Sequence, residues 1–509
     1  MDAVGKTKNA SFDAWRKTAG LLLGPLGALA ILLRRPEGLS EEAHCLSAII
    51  CLVILFWLTE PVPLAVTALL GVALSVLAGI APAKEVLASF GDPVIFLFIG
   101  SFMIARGMQV HGLDRRIAYT LLSHPWVGGS TYRTLWTMGL TAWIISMWVS
   151  NTATVAMLFP VALAIARLTT ESMAADAGGN PAMKRLRYPA ALLLFLSYAA
   201  SIGGLATPVG TPPNLIGIAL IEQGLGVRIG FLSWMAVALP VALLLLAACY
   251  GIILFLFPPE IRRVPGQLDR LLEKRRSLGH LAAGERNTMI VFFTAVILWT
   301  GPGIVALTLG PAHPLSQALE KRLPEGIAAI LAAGLLFLLP VSWRKREFTL
   351  RWEDAVQIDW ATVLLFGGGI ALGRMMFETG LASAMGNGLI RLLGVESPAA
   401  LAATATFAST LISETASNTA SANMAVPVML SVAKASKETE LMLGVAATMG
   451  ASLGFMLPVS TPPNAIVYGS GAIRITDMVR AGFLVDLIGG LIVWATAVLW
   501  VPRILPMGG

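Results

Sequence analysis

Charge is scarce in this chain. Of its 509 residues only 13% are Asp, Glu, Lys or Arg, against 56% apolar, where a soluble domain carries about a quarter charged residues. That ratio excludes an ordinary soluble globule. It also excludes a disordered chain, which needs few apolar residues and many charges. Histidine and cysteine are scarce too. The five histidines are scattered, with no H-x-x-x-H or H-E-x-x-H spacing, so the sequence carries no zinc-enzyme signature. The three cysteines, Cys45, Cys51 and Cys249, form no C-x-x-C pair and imply no disulfide framework. A net charge of +7 would raise nucleic acid in a soluble protein. Here the basic residues sit mostly in short loops between apolar runs, as membrane topology leads one to expect, and no nucleic-acid partner is expected.

Long apolar runs are what the chain has in quantity, with a mean hydropathy of +0.77. At about 20 residues per crossing they suffice for about 14 helices, and loops lower that to about ten to twelve. The fold class is an all-α polytopic membrane protein. The first run, 21–33, follows Lys6, Lys8, Arg16 and Lys17 and so looks like a signal peptide. Arg34-Arg35-Pro36 comes after it in place of a small-x-small cleavage site, and it is read as a retained first helix. Further runs cover 44–59, 64–80, 93–112, 188–221, 232–257, 288–309, 325–341, 358–382, 440–468 and 481–501, giving eleven expected crossings. Two more apolar regions, 134–166 and 399–432, are interrupted in the middle.

Orientation follows from the basic loops. The densest holds Arg262, Arg263, Arg270, Lys274, Arg275, Arg276 and Arg286; the next holds Arg344, Lys345, Arg346 and Arg351. With both in the cytoplasm, the N-terminus falls inside and the C-terminus outside, and most basic residues lie on the inner side. The threading closes only if each interrupted region enters and leaves on one side, so both are read as re-entrant hairpins.

The chain also repeats itself. IFLFIGSFMIARGMQVHGL (95–113) matches VLLFGGGIALGRMMFETGL (363–381) at a shift of 268, sharing among others Arg106/Arg374 and Gly112/Gly380. SNTATVAMLFPV (150–161) matches SNTASANMAVPV (417–428) at a shift of 267, and PVGTPPNLI (208–216) matches PVSTPPNAI (458–466) at a shift of 250. The threading gives the two copies opposite orientation: the hairpin with Ser150 opens to the cytoplasm, the one with Ser417 to the outside. Inverted repeats with interrupted helices indicate a secondary transporter whose site lies near the midplane.

The motifs suit that site. Each arm flanking Ser150-Asn151-Thr152 is about 20 Å long, which reaches the middle of a ~30 Å hydrocarbon core. Broken backbone there leaves N–H and C=O groups unpaired by the helix, tolerated only when buried in protein or lining a wet cavity. Freed carbonyls suit Na⁺, and freed N–H groups and helix N-termini suit an anion. Thr-Pro-Pro marks an unwound helix for a different reason: Pro212 and Pro213 remove two donors, and the residue before a proline is pushed out of the helical region. A single S-N-T is usually an interhelical hydrogen-bonding cluster and a single T-P-P a kink; duplication of both in inverted copies favours a site. Arg106 and Arg374, near helix ends, read as snorkelling anchors, Glu414 as a hydrogen-bonding support for the outer hairpin, and the thirteen tryptophans mostly as interfacial anchors.

The two S-N-T motifs, each followed by a T-P-P, resemble the divalent anion:sodium symporter family of di- and tricarboxylate and sulfate carriers, over essentially the whole chain. The resemblance implies a homodimeric, elevator-type transporter in which a transport domain holding both hairpins slides against a scaffold. It implies one sodium site at Ser146, Ser150, Asn151 and Gly210, and a second at Ser413, Ala416, Asn418 and Ser460. The anion is then expected at Ser150, Asn151, Thr152, Thr211, Ser417, Asn418, Thr419 and Thr461. The corresponding division is 1–92 mainly scaffold, 93–230 first-repeat transport elements, 231–357 scaffold helices with the basic loop, and 358–509 second-repeat transport elements with the last helix. Independently, none of these pocket residues is a Lys or Arg, and a dianion at membrane depth needs a partner charge, which bound Na⁺ supplies. The expected function is sodium-coupled import of a C4 dicarboxylate such as succinate across a bacterial inner membrane. Symport of sulfate or another small divalent anion, and sodium-independent dicarboxylate exchange, are the alternatives. A membrane enzyme would need a nucleophile–base or metal constellation, and none is legible.

Overall fold

The computed structural model describes residues 3–34, 39–176, 186–394, 397–436 and 440–505. Arg35 and Pro36, which bear on the reading of the first helix, lie outside them. In chain order the helices before the first repeat are α1 (Ala3–Leu33), α2 (Glu41–Thr59), α3 (Leu64–Leu77) and α4 (Ala83–Ala88). The first repeat comprises α5 (Pro93–His111), α6 (Leu113–Leu122), the hairpin arms α7 (Thr131–Ser146) and α8 (Asn151–Asp176), and the broken pair α9 (Tyr188–Leu205) and α10 (Pro212–Leu225). Between the repeats lie α11 (Phe231–Leu256), α12 (Gln267–Ser277), α13 (Ala283–Leu309), α14 (Pro314–Arg322), α15 (Glu325–Leu338) and α16 (Trp352–Ala355), with a short antiparallel pair, β1 (Pro340–Ser342) and β2 (Glu347–Phe348), before α16. The second repeat comprises α17 (Trp360–Glu378), α18 (Leu381–Leu393), the hairpin arms α19 (Pro398–Thr415) and α20 (Asn418–Ser436), and the broken pair α21 (Glu440–Gly450) and α22 (Pro462–Gly469). Helices α23 (Ile475–Leu499) and α24 (Val501–Ile504) complete the chain.

Local chemistry sets matching boundaries in the two repeats. Helix α5 starts at Asp92, whose carboxylate accepts from Val94 N at 2.9 Å, with Pro93 in the first turn. Helix α17 starts at Asp359, which accepts from Thr362 N at 3.1 Å. These are ordinary acidic N-caps. Both helices turn into the next element through a left-handed glycine, Gly112 at φ 71° and Gly380 at φ 77°, a conformation that only glycine adopts without strain. The helices that follow, α6 and α18, are amphipathic, as helices lying along a membrane interface are.

Among the described residues nine helices are long and apolar enough to cross a membrane, against the eleven crossings expected from apolar runs. The difference has a physical origin. The expected runs 188–221 and 440–468 are each split by an unwound segment, and α3, α15 and α21 are apolar but short. One of the nine, Asn151–Glu171, belongs to a hairpin arm. Position in the bundle follows from which faces are apolar. Every residue of α9 is buried, as expected of a helix that is hydrophobic all round. Helices α1 and α13 expose rows of Leu, Ile and Phe, including Leu22, Leu26, Phe293 and Ile297. So large an apolar surface suits lipid rather than water.

The packing interlocks the repeats. Each hairpin packs on the first half of its own broken helix, α7 and α8 on α9, and α19 and α20 on α21. Each second half-helix also packs on the other repeat, α10 on α20 and α21, and α22 on α8 and α9. Helices α5 and α17 lean on the flanking helices, α5 mainly on α15 and α13, and α17 mainly on α3 while also touching α10 and α20. Glycines permit the close approach of α5 and α15: a Cβ at Gly100 would lie 2.7 Å from the Ala329 carbonyl carbon, and one at Gly326 2.2 Å from the Pro93 carbonyl oxygen.

Candidate substrate and ion site

Both hairpins break at the S-N-T motif. The first arm ends at Ser146 and the second begins at Asn151; in the other repeat the first arm ends at Thr415 and the second begins at Asn418. The motif serine caps the second arm in each case. Ser150 Oγ accepts from Ala153 N at 3.3 Å, and Ser417 Oγ accepts from Ala420 N at 3.2 Å. The motif asparagine is oriented by the serine five residues back, Ser146 Oγ donating to Asn151 Oδ1 at 2.7 Å and Ser413 Oγ to Asn418 Oδ1 at 2.8 Å. Glycines face both amides: a Cβ at Gly204 would lie 2.5 Å from Asn151 Oδ1, too close without a shift, and one at Gly454 3.2 Å from Asn418 Oδ1, a tight contact.

The broken helices are equally matched. Thr211 and Thr461 precede the proline pairs in extended conformation (φ −148° and −141°), as the residue before a proline prefers. The unwound segments are held by the asparagine of T-P-P-N. Asn214 Nδ2 donates to the carbonyls of Gly204 (2.9 Å), Leu205 (3.2 Å) and Thr207 (2.8 Å). Asn464 Nδ2 donates to those of Gly454 (3.2 Å) and Leu457 (3.1 Å). The sequence showed these asparagines as part of the repeat; their role as clamps required the fold. One asymmetry stands out. Ser197 Oγ on α9 donates to Asn464 Oδ1 at 2.7 Å, whereas Asn214 Oδ1 is buried with no partner. The repeat counterpart of Ser197, at the shift of 250, is Ala447, which has no hydroxyl to offer.

Glu414 supports the second unwound segment. Its carboxylate accepts from Met456 N (2.8 Å), Leu457 N (3.2 Å) and Ser460 Oγ (2.7 Å). From α23, Asp486 Oδ2 accepts from Phe455 N at 3.3 Å. Both carboxyls are buried, so orphaned N–H groups of the break are paired inside the protein, as the absence of water at that depth demands.

One cavity of about 660 Å³ joins the two repeats. It is lined by Ser150, Asn151, Thr152 and Thr211 of the first and by Ser417, Asn418, Thr419 and Thr461 of the second. Gly210 and Ser460 also reach it, while Ser146, Ser413 and Ala416 are buried behind the tips. Every residue expected to meet the anion therefore faces the same space. The N-termini of α8, α10, α20 and α22 converge there. Each helix end carries the equivalent of about half a positive charge, so the four supply about two. The donors for a cation are hydroxyl, amide and carbonyl oxygens. Among the described residues there is no group of three or more His, Cys, Asp or Glu. Such a neutral, all-oxygen set fits an alkali ion and not a transition metal.

The cavity continues to Arg106, Gln109, Gln357 and Asp359, residues that motif reading did not place in it. Arg106, expected to snorkel, instead donates to the Gln357 side chain and to the Asp354 carbonyl (3.3 Å). Arg374, its repeat counterpart, pairs with Glu378 at 2.7 Å. The long spacing between 106 and 357 left no signal for this pairing in the sequence.

Two hairpins and two broken helices meeting tip to tip around one cavity, inside an apolar helical bundle, define a membrane transporter. The chain is an integral membrane protein and belongs to the sodium:sulfate symporter family, whose transmembrane region it matches over residues 17–507. Among its relatives, the sodium-dependent dicarboxylate transporter SdcS of Staphylococcus saprophyticus is 33% identical over 503 residues, 98% of this chain and 94% of that protein. SdcS of Staphylococcus aureus is 33% identical over 477 residues, 93% of this chain and 89% of that protein. The crystal structure of the Alcanivorax borkumensis YdaH transporter has the same fold at a TM-score of 0.52 and 14% identity, covering 83% of this chain and 89% of that one. The chain is thus a carrier and not an enzyme.

Proposed function

We propose that the chain is a sodium-coupled symporter that imports C4 dicarboxylates such as succinate across a bacterial inner membrane. The observation that carries this reading is the convergence of four helix N-termini and both S-N-T tips on one cavity. Two tips on opposite repeats can hold the two carboxylates of one short diacid, and about 660 Å³ lies in the range of small-molecule sites. The names of the SdcS relatives agree with it. A sulfate substrate, favoured by the family's description, has one centre of charge and would use the two tips less fully.

Sodium is the coupling ion in this reading. Ser146, Ser150, Asn151 and Gly210 form the first site, and Ser413, Ala416, Asn418 and Ser460 the second, through hydroxyl, amide and backbone oxygens. The bound cations complete the neutralisation of the dianion that the helix dipoles begin. Two Na⁺ with a dianion move no net charge; a third lets the membrane potential contribute about 2.3 kcal/mol per 100 mV. The protein works as a homodimer with its N-terminus in the cytoplasm and its C-terminus outside. Each protomer alternates by an elevator movement of the hairpins and broken helices, drawn from 93–230 and 358–509, against a scaffold supplied mainly by 1–92 and 231–357. With that orientation, Arg106, Gln357 and Asp359 mark the cytoplasmic mouth of the cavity.

Asn151→Ala and Asn418→Ala test the site assignment. Each is expected to abolish sodium-driven succinate uptake while leaving expression and detergent melting close to those of the unaltered protein. Unaltered uptake in both would remove the S-N-T asparagines from the site.

A further inference from the structure

At the end of the bundle where α7 begins and α11 finishes lies a second cavity, open and about 700 Å³, lined by Ser130, Tyr132, Arg133, Arg262 and Arg263. Backbone pairing builds it. Thr131 N donates to the Arg262 carbonyl at 3.1 Å, Val264 N to the Gly129 carbonyl at 2.9 Å, and Thr131 Oγ1 to the Ile261 carbonyl at 2.7 Å. These bonds fix the loop before the first hairpin against the segment after α11, so three guanidinium groups share one space. Arg133 is further held by its bond to the Trp126 carbonyl (2.9 Å) and by lying 5.3 Å from the centroid of the Trp126 ring.

Nothing anionic among the described residues pairs with these arginines. The nearby acid in sequence, Glu260, is committed elsewhere: its carboxylate accepts from Arg187 N and from Tyr188 N (3.2 Å) at the start of α9. Ser130 is the N-cap of the sixteen-residue α7 and makes no side-chain capping bond, so the positive end of that helix adds to the field. The surroundings are those of a membrane interface. Trp126 and Tyr132 are exposed, and Phe255 in the last turn of α11 is 80% exposed. Tyr250 of α11 donates to the Tyr132 carbonyl at 3.1 Å, which ties that helix to the rim of the cavity. Amphipathic aromatics at this level mark the headgroup layer, and a basic pocket between transmembrane helices there suits an anionic headgroup.

We propose that this cavity binds the phosphate of an anionic phospholipid, with Arg133, Arg262 and Arg263 on the headgroup and the acyl chains along the exposed face of α11. The bound lipid anchors the opening of the first hairpin at the membrane surface. The site is separate from the transport cavity and shares no residue with it.

Binding is read directly on the full-length protein purified in detergent. Dioleoyl phosphatidylglycerol is titrated and followed by native mass spectrometry, with dioleoyl phosphatidylcholine and inorganic phosphate as parallel probes. An arginine near a headgroup strengthens binding about fivefold. The double variant R262Q/R263Q is therefore expected to weaken phosphatidylglycerol retention about 25-fold. The control R275Q/R276Q removes the same charge from the exposed α12 and should change it less than about twofold. Arg262, Arg263, Arg275 and Arg276 are all exposed, so both variants fold. Equal loss in the two doubles, no loss in either, or binding of inorganic phosphate as tight as that of phosphatidylglycerol would each overturn the proposal. The last of these would make the cavity a site for a free anion.

Discussion

Asn214→Ala examines how the first unwound segment is held. Asn214 is fully buried, and its amide, with two N–H bonds, serves three carbonyls at 2.8 to 3.2 Å. Leu205 and Thr207 keep second donors in Trp234 Nε1 (3.1 Å) and Gly210 N (3.3 Å), so the Gly204 carbonyl is the one left unpaired. Losing two net hydrogen bonds removes about 2 kcal/mol, and that buried unpaired carbonyl adds about 1–3 kcal/mol. The total, about 3–5 kcal/mol, is large against the stability of a folded protein. Part of it is recovered if residues 206–211 relax. That relaxation moves Gly210, in the proposed first sodium site, and turns the released carbonyls away from their present directions. If about 2 kcal/mol of the loss falls on ion binding, the Na⁺ concentration for half-maximal uptake rises about 30-fold. The assay is succinate uptake by proteoliposomes across a Na⁺ titration, with detergent melting as the control for folding. Asn464→Ala should do the same at the second site. An Asn214→Ala protein with wild-type melting and a Na⁺ half-saturation within about twofold of normal would refute the idea that this clamp shapes the ion site.

Ala447→Ser supplies the counterpart of the hydroxyl that Ser197 gives across the repeats to Asn464; it should pair the orphaned Asn214 Oδ1 and add about 1 kcal/mol of stability, seen as a higher melting temperature. A variant melting at or below the wild type would contradict the equivalence of these positions. Arg275→Cys, on the exposed basic helix α12, should react with an impermeant thiol reagent in inside-out vesicles and stay unlabelled in intact cells. Labelling in intact cells would reverse the orientation.

Much of the transport cavity was legible before the fold was known, because its residues are duplicated. Two copies of S-N-T and of T-P-P-N mark breaks that periodicity alone would read as ordinary helices, and the structure interrupts the chain at those points. Less legible were features that depend on partners distant in sequence. No local pattern shows that α10 packs on the second hairpin and α22 on α8 and α9 of the first repeat, nor that Arg106 reaches Gln357. The apolar runs also overstate helix length: in 188–221 and 440–468 the unwound residues are themselves small or apolar, so hydropathy runs through them. In the opposite sense, α12 lies in what the charge pattern presented as a loop. Its Leu, Glu, Lys and Arg are good helix formers, and Leu271 gives it a buried anchor.

The central claim is that Na⁺ drives a C4 dicarboxylate through the cavity between the two S-N-T tips. Its most direct test is uptake of radiolabelled succinate into proteoliposomes containing the purified chain, with an inward Na⁺ gradient and with K⁺ in its place. Accumulation that requires Na⁺ is the predicted result. Equal uptake in both conditions, or none in either, would contradict it.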